Sequence, residues 1–154
     1  MQSSPIAIMI SRQRTAFWDS SAVVPLLVRD SFTTRSREIL RRYPEVASWW
    51  NMPVEAHSAL VRLFTEKRIT GETLDAALSH LQEFRARCKE IQPLDRVRDV
   101  AEECLDRFQI RSADALQLAA ALIWCRHAPR NRPFVCYDSR LSAAARQCGF
   151  DVHS

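Results

Sequence analysis

The stretch Ala16-Phe17-Trp18-Asp19 is a short apolar run that ends in a carboxylate, and Phe134-Val135-Cys136-Tyr137-Asp138 repeats this pattern late in the chain. Apolar runs of this length predict buried β-strands. Two further acids, Glu55 and Asp114, stand near the starts of predicted helices. In an alternating α/β fold the carboxyl ends of the strands share one edge of the sheet, where ligands bind. Four carboxylates that converge on this edge would attract a hard cation.

Predicted strands and helices alternate along the rest of the chain. We predict helices over 20–28, over 31–42 up to Pro44, from Pro53, after Thr70, from Asp95, and over 112–127 and 139–148. Further short strands are predicted over 47–51, 91–94 and 150–152, with Gly149 ending the last helix. This alternation predicts a mostly parallel sheet with helices on both faces. Residues 1–15 lack a clear period, so we expect a loose tail before a single domain of residues 16–154, and Met9 could be the true start.

The spacing of apolar residues also predicts which helix faces are buried. One stripe contains Ala56, Leu60, Leu63 and Phe64, and a later helix has a regular face of Val97, Val100, Ala101, Cys104, Leu105 and Phe108. Thr70 and Asp95 are predicted N-caps of their helices. The helix over 112–127 is apolar almost all round, with Asp114 and Gln117 as polar exceptions, which predicts burial at the centre of the domain.

Composition excludes several classes of protein. No apolar run approaches the ~20 residues that span a bilayer, and 6–10 is too short for a signal-peptide core, so we expect a cytoplasmic protein without a membrane segment. Two glycines cannot form the glycine-rich nucleotide-binding loops, so a nucleotide cofactor is not expected. The five cysteines show no CxxC spacing and are expected to be core thiols. Cys125 and His127 alone do not make a zinc site.

The basic residues are unusual in kind. The chain has a net charge of +4, and twenty of its twenty-two basic residues are arginines. Guanidinium groups bind phosphate oxygens in bidentate fashion, which favours phosphate recognition, although a GC-rich genome also replaces lysine by arginine. An arginine cluster before Pro44 is either an ordinary solvated helix face or an RNA contact, and it contains Arg35, Arg37, Arg41 and Arg42.

Each of the four acids also has a structural explanation. Asp19 and Asp138 could be helix N-caps, and Glu55 could be an ordinary first-turn glutamate, each stabilising its helix by roughly 0.3–1 kcal/mol. Asp114 lies in an apolar helix, where an unpaired carboxylate is expensive. Its partner would be either a metal ion or Arg111, one turn earlier.

In combination, these motifs resemble the PIN-domain ribonucleases, and within them the VapC-type toxins of bacterial toxin–antitoxin pairs. The resemblance covers about residues 16–153. It rests on four stretches in order, which are 17–22, 54–60, 112–119 and 137–141 running into 148–152. Two departures are Gln117, where many relatives carry His, and Asn51-Met52-Pro53, where hydroxyl-bearing residues are common before the glutamate.

The resemblance implies a PIN-like three-layer α/β/α fold with four to five short strands. It implies that Asp19, Glu55, Asp114 and Asp138 form a pocket for Mg²⁺ or Mn²⁺ and hydrolyse RNA, with Ser20 or Ser21 supporting a carboxylate or the phosphate. It also implies a homodimer that a cognate antitoxin silences. Because close carboxylates repel one another without a cation, we expect raised pKa values in the metal-free pocket.

Two other functions are compatible with the same pattern. The first is a non-catalytic PIN-like module that binds RNA or a protein through its acids. The second is a phosphoryl-transfer receiver domain, which has a similar alternation of elements and an acidic cluster. Receivers use a lysine at a late strand end, whereas the lysines here are Lys67 and Lys89.

Overall fold

A computed structural model describes residues 14–154, so most of the predicted tail, including Met9, lies outside the described residues. Thr15 was assigned to the tail but is the first residue of a strand. The strands are β1 (Thr15–Trp18), β2 (Glu45–Trp49), β3 (Cys88–Ile91), β4 (Pro133–Val135) and β5 (Asp151–His153). The helices are α1 (Ser20–Leu27), α2 (Thr33–Arg42), α3 (Met52–Thr65), α4 (Gly71–Arg87), α5 (Asp95–Arg107), α6 (Ser112–Trp124) and α7 (Ser139–Cys148).

The five strands form one sheet in the order β3-β2-β1-β4-β5, and every pairing is parallel. The predicted parallel sheet is therefore confirmed. From β1 the chain builds outward through β2 and β3, then returns to the other side of β1 to build β4 and β5. The direction of winding thus changes between β1 and β4, and this change opens a crevice at the carboxyl ends of the two strands.

Strand β1 is buried on both of its faces. Ala16 and Trp18 pack into a cluster with residues of α1 to α4, and Phe17 packs on the opposite face with residues of α5 to α7. The Phe17 ring lies 5.6 Å from that of Phe134, across the β1–β4 pair. Continuous apolar runs are typical of strands covered on both faces, so the molecule is a three-layer α/β/α sandwich.

The boundaries of four predicted strands were displaced. Strand β4 covers Pro133–Val135 instead of 134–137. Strand β2 begins at Glu45 instead of residue 47, and β5 begins at Asp151 instead of 150. The third strand covers Cys88–Ile91 instead of 91–94. Strand β3 pairs with β2 at the sheet edge and carries exposed Lys89. Its sequence is therefore not a continuous apolar run, and the strand could not be located from hydrophobicity.

The helix predictions were largely but not wholly correct. The Thr70 hydroxyl caps α4 by accepting the Thr73 N–H at 3.1 Å. Asp95 is not an N-cap, because the extended N-cap residue is Leu94; Asp95 instead lies 3.6 Å from Arg98. Helix α6 ends at Trp124 rather than 127, since the chain turns there through residues of positive φ, namely Arg126 and His127.

Two residues at the rims of the predicted apolar stripes are exposed. Phe64 is 44% exposed and Leu105 is 42% exposed, whereas Ala56, Leu60 and Cys104 are buried as predicted. The five cysteines are free thiols, and three of them are buried. Among residues 14–154, no helix is both long enough and apolar enough to cross a membrane.

Candidate active site

Asp19 is the deepest of the four predicted acids. It follows β1 and caps α1, and its own N–H donates to the Val135 carbonyl of β4 at 3.0 Å. One carboxylate oxygen, Oδ2, accepts three hydrogen bonds: from the Ser21 N–H at 3.1 Å, the Ser21 hydroxyl at 2.5 Å and the Cys136 thiol at 3.6 Å. The carboxylate is only 4% exposed, and this burial raises its pKa.

Glu55 lies in the first turn of α3, which follows β2. The Ser20 hydroxyl donates to Glu55 Oε2 at 3.2 Å, so α1 holds this side chain as well as Asp19. Partial burial, followed by the negative charge of Asp19, raises the pKa of Glu55 to about 7. A carboxyl group with this pKa can exchange a proton near neutral pH.

Asp114 is less buried than its apolar helix predicted. It lies in the first turn of α6, where Oδ2 accepts the Arg111 N–H at 3.4 Å. Burial raises its pKa, and the charge of Asp138 adds to this effect. The Arg111 side chain is close enough to lower that pKa, but among residues 14–154 it forms no salt bridge with Asp114. Arg111 was predicted as the alternative partner of Asp114, and it contacts the carboxylate through its backbone N–H.

Asp138 is exposed and caps α7. Its Oδ1 accepts the Leu141 N–H at 2.8 Å. The preceding residue, Tyr137, donates its N–H to the Ser21 hydroxyl oxygen at 2.9 Å. Ser21 therefore connects the end of β4 to the Asp19 carboxylate, and Ser20 and Ser21 each support one of the acids.

The four acids act on one another through charge. Asp114 raises the pKa of both Asp19 and Glu55, and Asp138 in turn raises that of Asp114. Each carboxylate uses one oxygen for the hydrogen bonds described above. The second oxygen of each accepts no hydrogen bond of normal geometry from the described part of the chain. The pKa values of Asp19, Glu55 and Asp114 are raised as expected, but burial is the larger cause in each case and repulsion between the acids the smaller one.

This donor set fits a hard divalent cation in its chemistry, since it consists entirely of carboxylate oxygens. The carboxylates are farther apart than the ligands of a complete coordination sphere would be. Within residues 14–154, no three Asp, Glu, His or Cys side chains are arranged as a ready metal site. Side-chain rotation or water molecules would have to bridge the remaining separation.

Sequence reasoning missed two participants in this site and undervalued a third. Cys136 follows β4 and donates its thiol to Asp19 Oδ2 at 3.6 Å, a contact that no local sequence pattern indicated. Arg140 lies close enough to Asp114 to lower its pKa. Gln117 was noted only as a departure; its amide is 1% exposed, makes no hydrogen bond of normal geometry, and still lowers the pKa of Glu55.

A groove of about 500 Å³ opens beside Glu55, between α1 and α3. Apolar groups from Val24, Val54 and Ala59 line it together with Ser20 and Ser21. Val54 is 61% exposed, an unusual state for a valine next to a charged site. The acids are therefore bordered on this side by an open, partly apolar surface.

No protein-family model matches the chain, and no curated protein matches it. Solved structures do match. FitAcB from Neisseria gonorrhoeae has a TM-score of 0.62 and 14% identity over 90% of this chain and 96% of that chain. A toxin–antitoxin complex from Klebsiella pneumoniae has a TM-score of 0.57 and 15% identity over 83% of this chain and 90% of that one.

PAE2754 from Pyrobaculum aerophilum has a TM-score of 0.57 and 22% identity, and covers 92% of this chain and 91% of its own. At these identities the comparisons establish the fold. The chain has a PIN-like fold, as the sequence predicted.

Proposed function

We propose that this protein is a divalent-metal-dependent endoribonuclease, and that it is the VapC-like toxin of a type II toxin–antitoxin pair. The observation that carries the nuclease proposal is the acidic site itself. Asp19 and Asp138 follow the neighbouring strands β1 and β4, Glu55 and Asp114 lie in the first turns of α3 and α6, and the charges of these acids act on one another. Burial is the main cause of the raised pKa values of Asp19, Glu55 and Asp114, and the charges of neighbouring acids add to it, so a bound cation would favour the ionised carboxylates.

Asp19 and Asp114 are the proposed principal ligands of Mg²⁺ or Mn²⁺, with Asp138 and Glu55 completing the set, partly through water. When bound, the cation would supply Lewis-acid stabilisation of the charge that develops on the phosphodiester. Ser21 holds Asp19 Oδ2 and thereby leaves Oδ1 directed to ligation. Glu55, with a pKa of about 7, is suited to accept a proton from the attacking water.

RNA is the proposed substrate because helix α2 carries a cluster of arginines, one of which, Arg35, acts through its charge on Tyr137, the residue before Asp138. The arginines of α2 are all exposed, as an RNA contact requires, and they are Arg35, Arg37, Arg41 and Arg42. Guanidinium groups bind backbone phosphates without reading sequence. The proposed compartment is the cytoplasm, where RNA is available.

An antitoxin is the proposed partner, together with a second copy of the chain as a homodimer. One structure of the same fold is described as a toxin–antitoxin complex. The groove beside Glu55 offers an apolar surface next to the acids, with Val54 exposed at its edge. An antitoxin segment could cover this surface and place a basic side chain against the carboxylates.

The nuclease proposal is tested by incubating the purified protein with a mixed RNA pool in Mg²⁺, Mn²⁺ or EDTA. We expect cleavage with either metal and none in EDTA. The near-isosteric Asp19→Asn should lower the rate by about 100-fold or more, since it removes charge stabilisation at the reacting group. Asp75→Asn is the matched control, because Asp75 is an exposed acid on α4. Equal cleavage by the wild type and Asp19→Asn would mean that another nuclease or another site is responsible.

The toxin proposal has a separate readout. Expression of the wild-type chain alone should arrest growth, and Asp19→Asn should not. Unaffected growth, combined with metal-dependent cleavage in vitro, would remove the toxin role and favour RNA processing.

A non-catalytic binding module is the second candidate. It is favoured by the absence of a ready three-ligand metal site in residues 14–154. This candidate predicts RNA or protein binding by both the wild type and Asp19→Asn, without cleavage under any metal condition.

A further inference from the structure

An exposed aromatic stack adjoins the acidic site. The Phe32 ring, in the loop before α2, lies 4.5 Å from the Tyr137 ring, with 23° between the planes. Phe32 is 46% exposed, although its ring covers Tyr137. The exposed part of this ring is therefore an accessible aromatic surface supported from beneath by a second ring.

Hydrogen bonds hold both rings in place. The Phe32 N–H donates to Asp30 Oδ1 at 2.7 Å, and the next residue, Thr33, donates its hydroxyl to the Pro25 carbonyl at 2.7 Å. The Tyr137 hydroxyl lies 2.8 Å from Ser36 Oγ, which is itself buried. A flat ligand would meet a surface that is already ordered, so its binding would cost little conformational entropy.

The stack is directly connected to the acids. Tyr137 immediately precedes Asp138, and its N–H donates to Ser21 Oγ, which donates to Asp19 Oδ2. The Phe32–Tyr137 stack therefore borders the carboxyl end of β4, where a bound strand would pass on leaving the acidic crevice.

The charge around the stack suits a polyanion. Arg29 and Arg35 are exposed on either side of Phe32 in sequence, and neither forms a salt bridge among the described residues. Burial raises the pKa of the Tyr137 hydroxyl, and the positive charge of the nearby Arg35 partly opposes this rise. The neighbouring acid, Asp30, already accepts the Phe32 N–H. A cation beside an aromatic face matches a nucleotide, in which a base and a phosphate lie side by side.

We propose that the Phe32–Tyr137 stack binds a nucleobase of the RNA strand next to the scissile phosphate, and that Arg35 contacts the phosphate of that nucleotide. This subsite rests on the proposed ribonuclease function. Every base has a π-face, so the subsite orients single-stranded RNA without selecting a sequence. It requires an unpaired nucleotide at one position beside the cleavage site.

The test measures RNA affinity in the Asp19→Asn background, which binds without cutting. The probe is a fluorescent single-stranded RNA oligonucleotide that contains a site the wild type cleaves. Phe32→Leu keeps an apolar cover on Tyr137 but removes the aromatic face, and it should weaken binding roughly tenfold. Phe32→Trp should bind as tightly as the parent. Phe64→Leu is the matched control and should have no effect, because Phe64 is 44% exposed and has no ring partner among the described residues.

A second arm locates the base. A series of oligonucleotides each lacks one base near the cleavage site. One abasic position should weaken binding to the parent roughly tenfold and should have no further effect on Phe32→Leu.

Several results would overturn the subsite. The first is equal RNA affinity for Phe32→Leu and the parent, and the second is an equal loss of affinity in Phe32→Leu and Phe64→Leu. The third is a loss of affinity in Phe32→Trp as well. The fourth is that the effect of Phe32→Leu adds to the effect of every abasic site. If the wild type cleaves RNA while these results hold, the ribonuclease stands and the subsite falls. Loss of antitoxin binding with unchanged RNA affinity would assign the stack to a protein partner.

Discussion

At the residue scale, capping and the proposed metal-binding role are compatible for the same side chains. Asp19, Asp114 and Asp138 each accept a backbone N–H near the start of their helix. That bond occupies one carboxylate oxygen and fixes the rotamer, while the other oxygen is left for a ligand. Local hydrogen bonds to the backbone therefore orient these acids, and they are compatible with the proposed metal-binding role.

The Ser21 hydroxyl takes part in two hydrogen bonds that link β4 to Asp19. It donates to Asp19 Oδ2 and accepts the Tyr137 N–H. Ser21→Ala leaves that N–H without its partner and should lower the free energy of unfolding by about 1–3 kcal/mol, as judged by urea denaturation. Ser21→Thr should retain most of it. Ser20→Ala is the comparison, since within residues 14–154 the Ser20 hydroxyl donates a hydrogen bond to Glu55 alone, and its effect should be under about 1 kcal/mol. Equal losses in both alanine variants would argue against the bridging role of Ser21.

At the element scale, the ends of the helices decide where the strands begin. Helix α7 ends at Gly149, whose φ is +105°, and the Phe150 N–H then donates back to the Ala145 carbonyl. This reversal leads directly into β5, which completes the sheet beside β4. The edge strand β3 has no comparable apolar or glycine signal, and its bounds were accordingly the least well predicted.

The two glycines provide a matched pair for testing this point. Gly149→Ala places a side chain at a strongly positive φ and should destabilise the protein by about 1–2 kcal/mol. Gly71 begins α4, and a Cβ there would meet Phe64 at an ordinary 3.9 Å. Gly71→Ala should therefore be neutral or slightly stabilising. Thermal unfolding of both variants checks this, and a similar fall in Tm for each would contradict the conformational argument.

At the scale of the whole molecule, the site joins elements that are far apart in the chain. Asp19 follows β1, Glu55 begins α3, Asp114 begins α6 and Asp138 follows β4. Burial of Asp19, Glu55 and Asp114 in the assembled site, and to a smaller extent repulsion between the acids, opposes their ionisation, so the stability of the metal-free protein should depend on pH.

The sign follows from the raised pKa values. Glu55 has a pKa of about 7 in the folded protein against 4.5 normally, so the folded state holds more protons between these values. The contribution of Glu55 to the free energy of unfolding in EDTA should thus be greatest below about pH 4.5. This contribution should be lost as the pH rises through about 7. The loss from Glu55 should reach about 2–3 kcal/mol. Mg²⁺ or Mn²⁺ should reduce it.

Chemical denaturation at pH 5 and pH 8, with EDTA or metal, measures this dependence. Glu55→Gln should flatten the profile, while Glu83→Gln, an exposed acid on α4, should leave it unchanged. A profile in EDTA that is identical for the wild type and Glu55→Gln would show that Glu55 does not oppose folding.

The sequence alone determined the alternation of elements, the acids at strand ends and helix starts, the Thr70 cap and the glycine that follows α7. These depend on period, capping and turn chemistry, which act over a few residues. The tertiary structure alone decided that Cys136 contacts Asp19 from 117 residues away, that Phe32 covers Tyr137, and that β3 joins the sheet edge. Such contacts depend on which strands become neighbours, and that choice is made by packing of the whole chain, which no local pattern encodes.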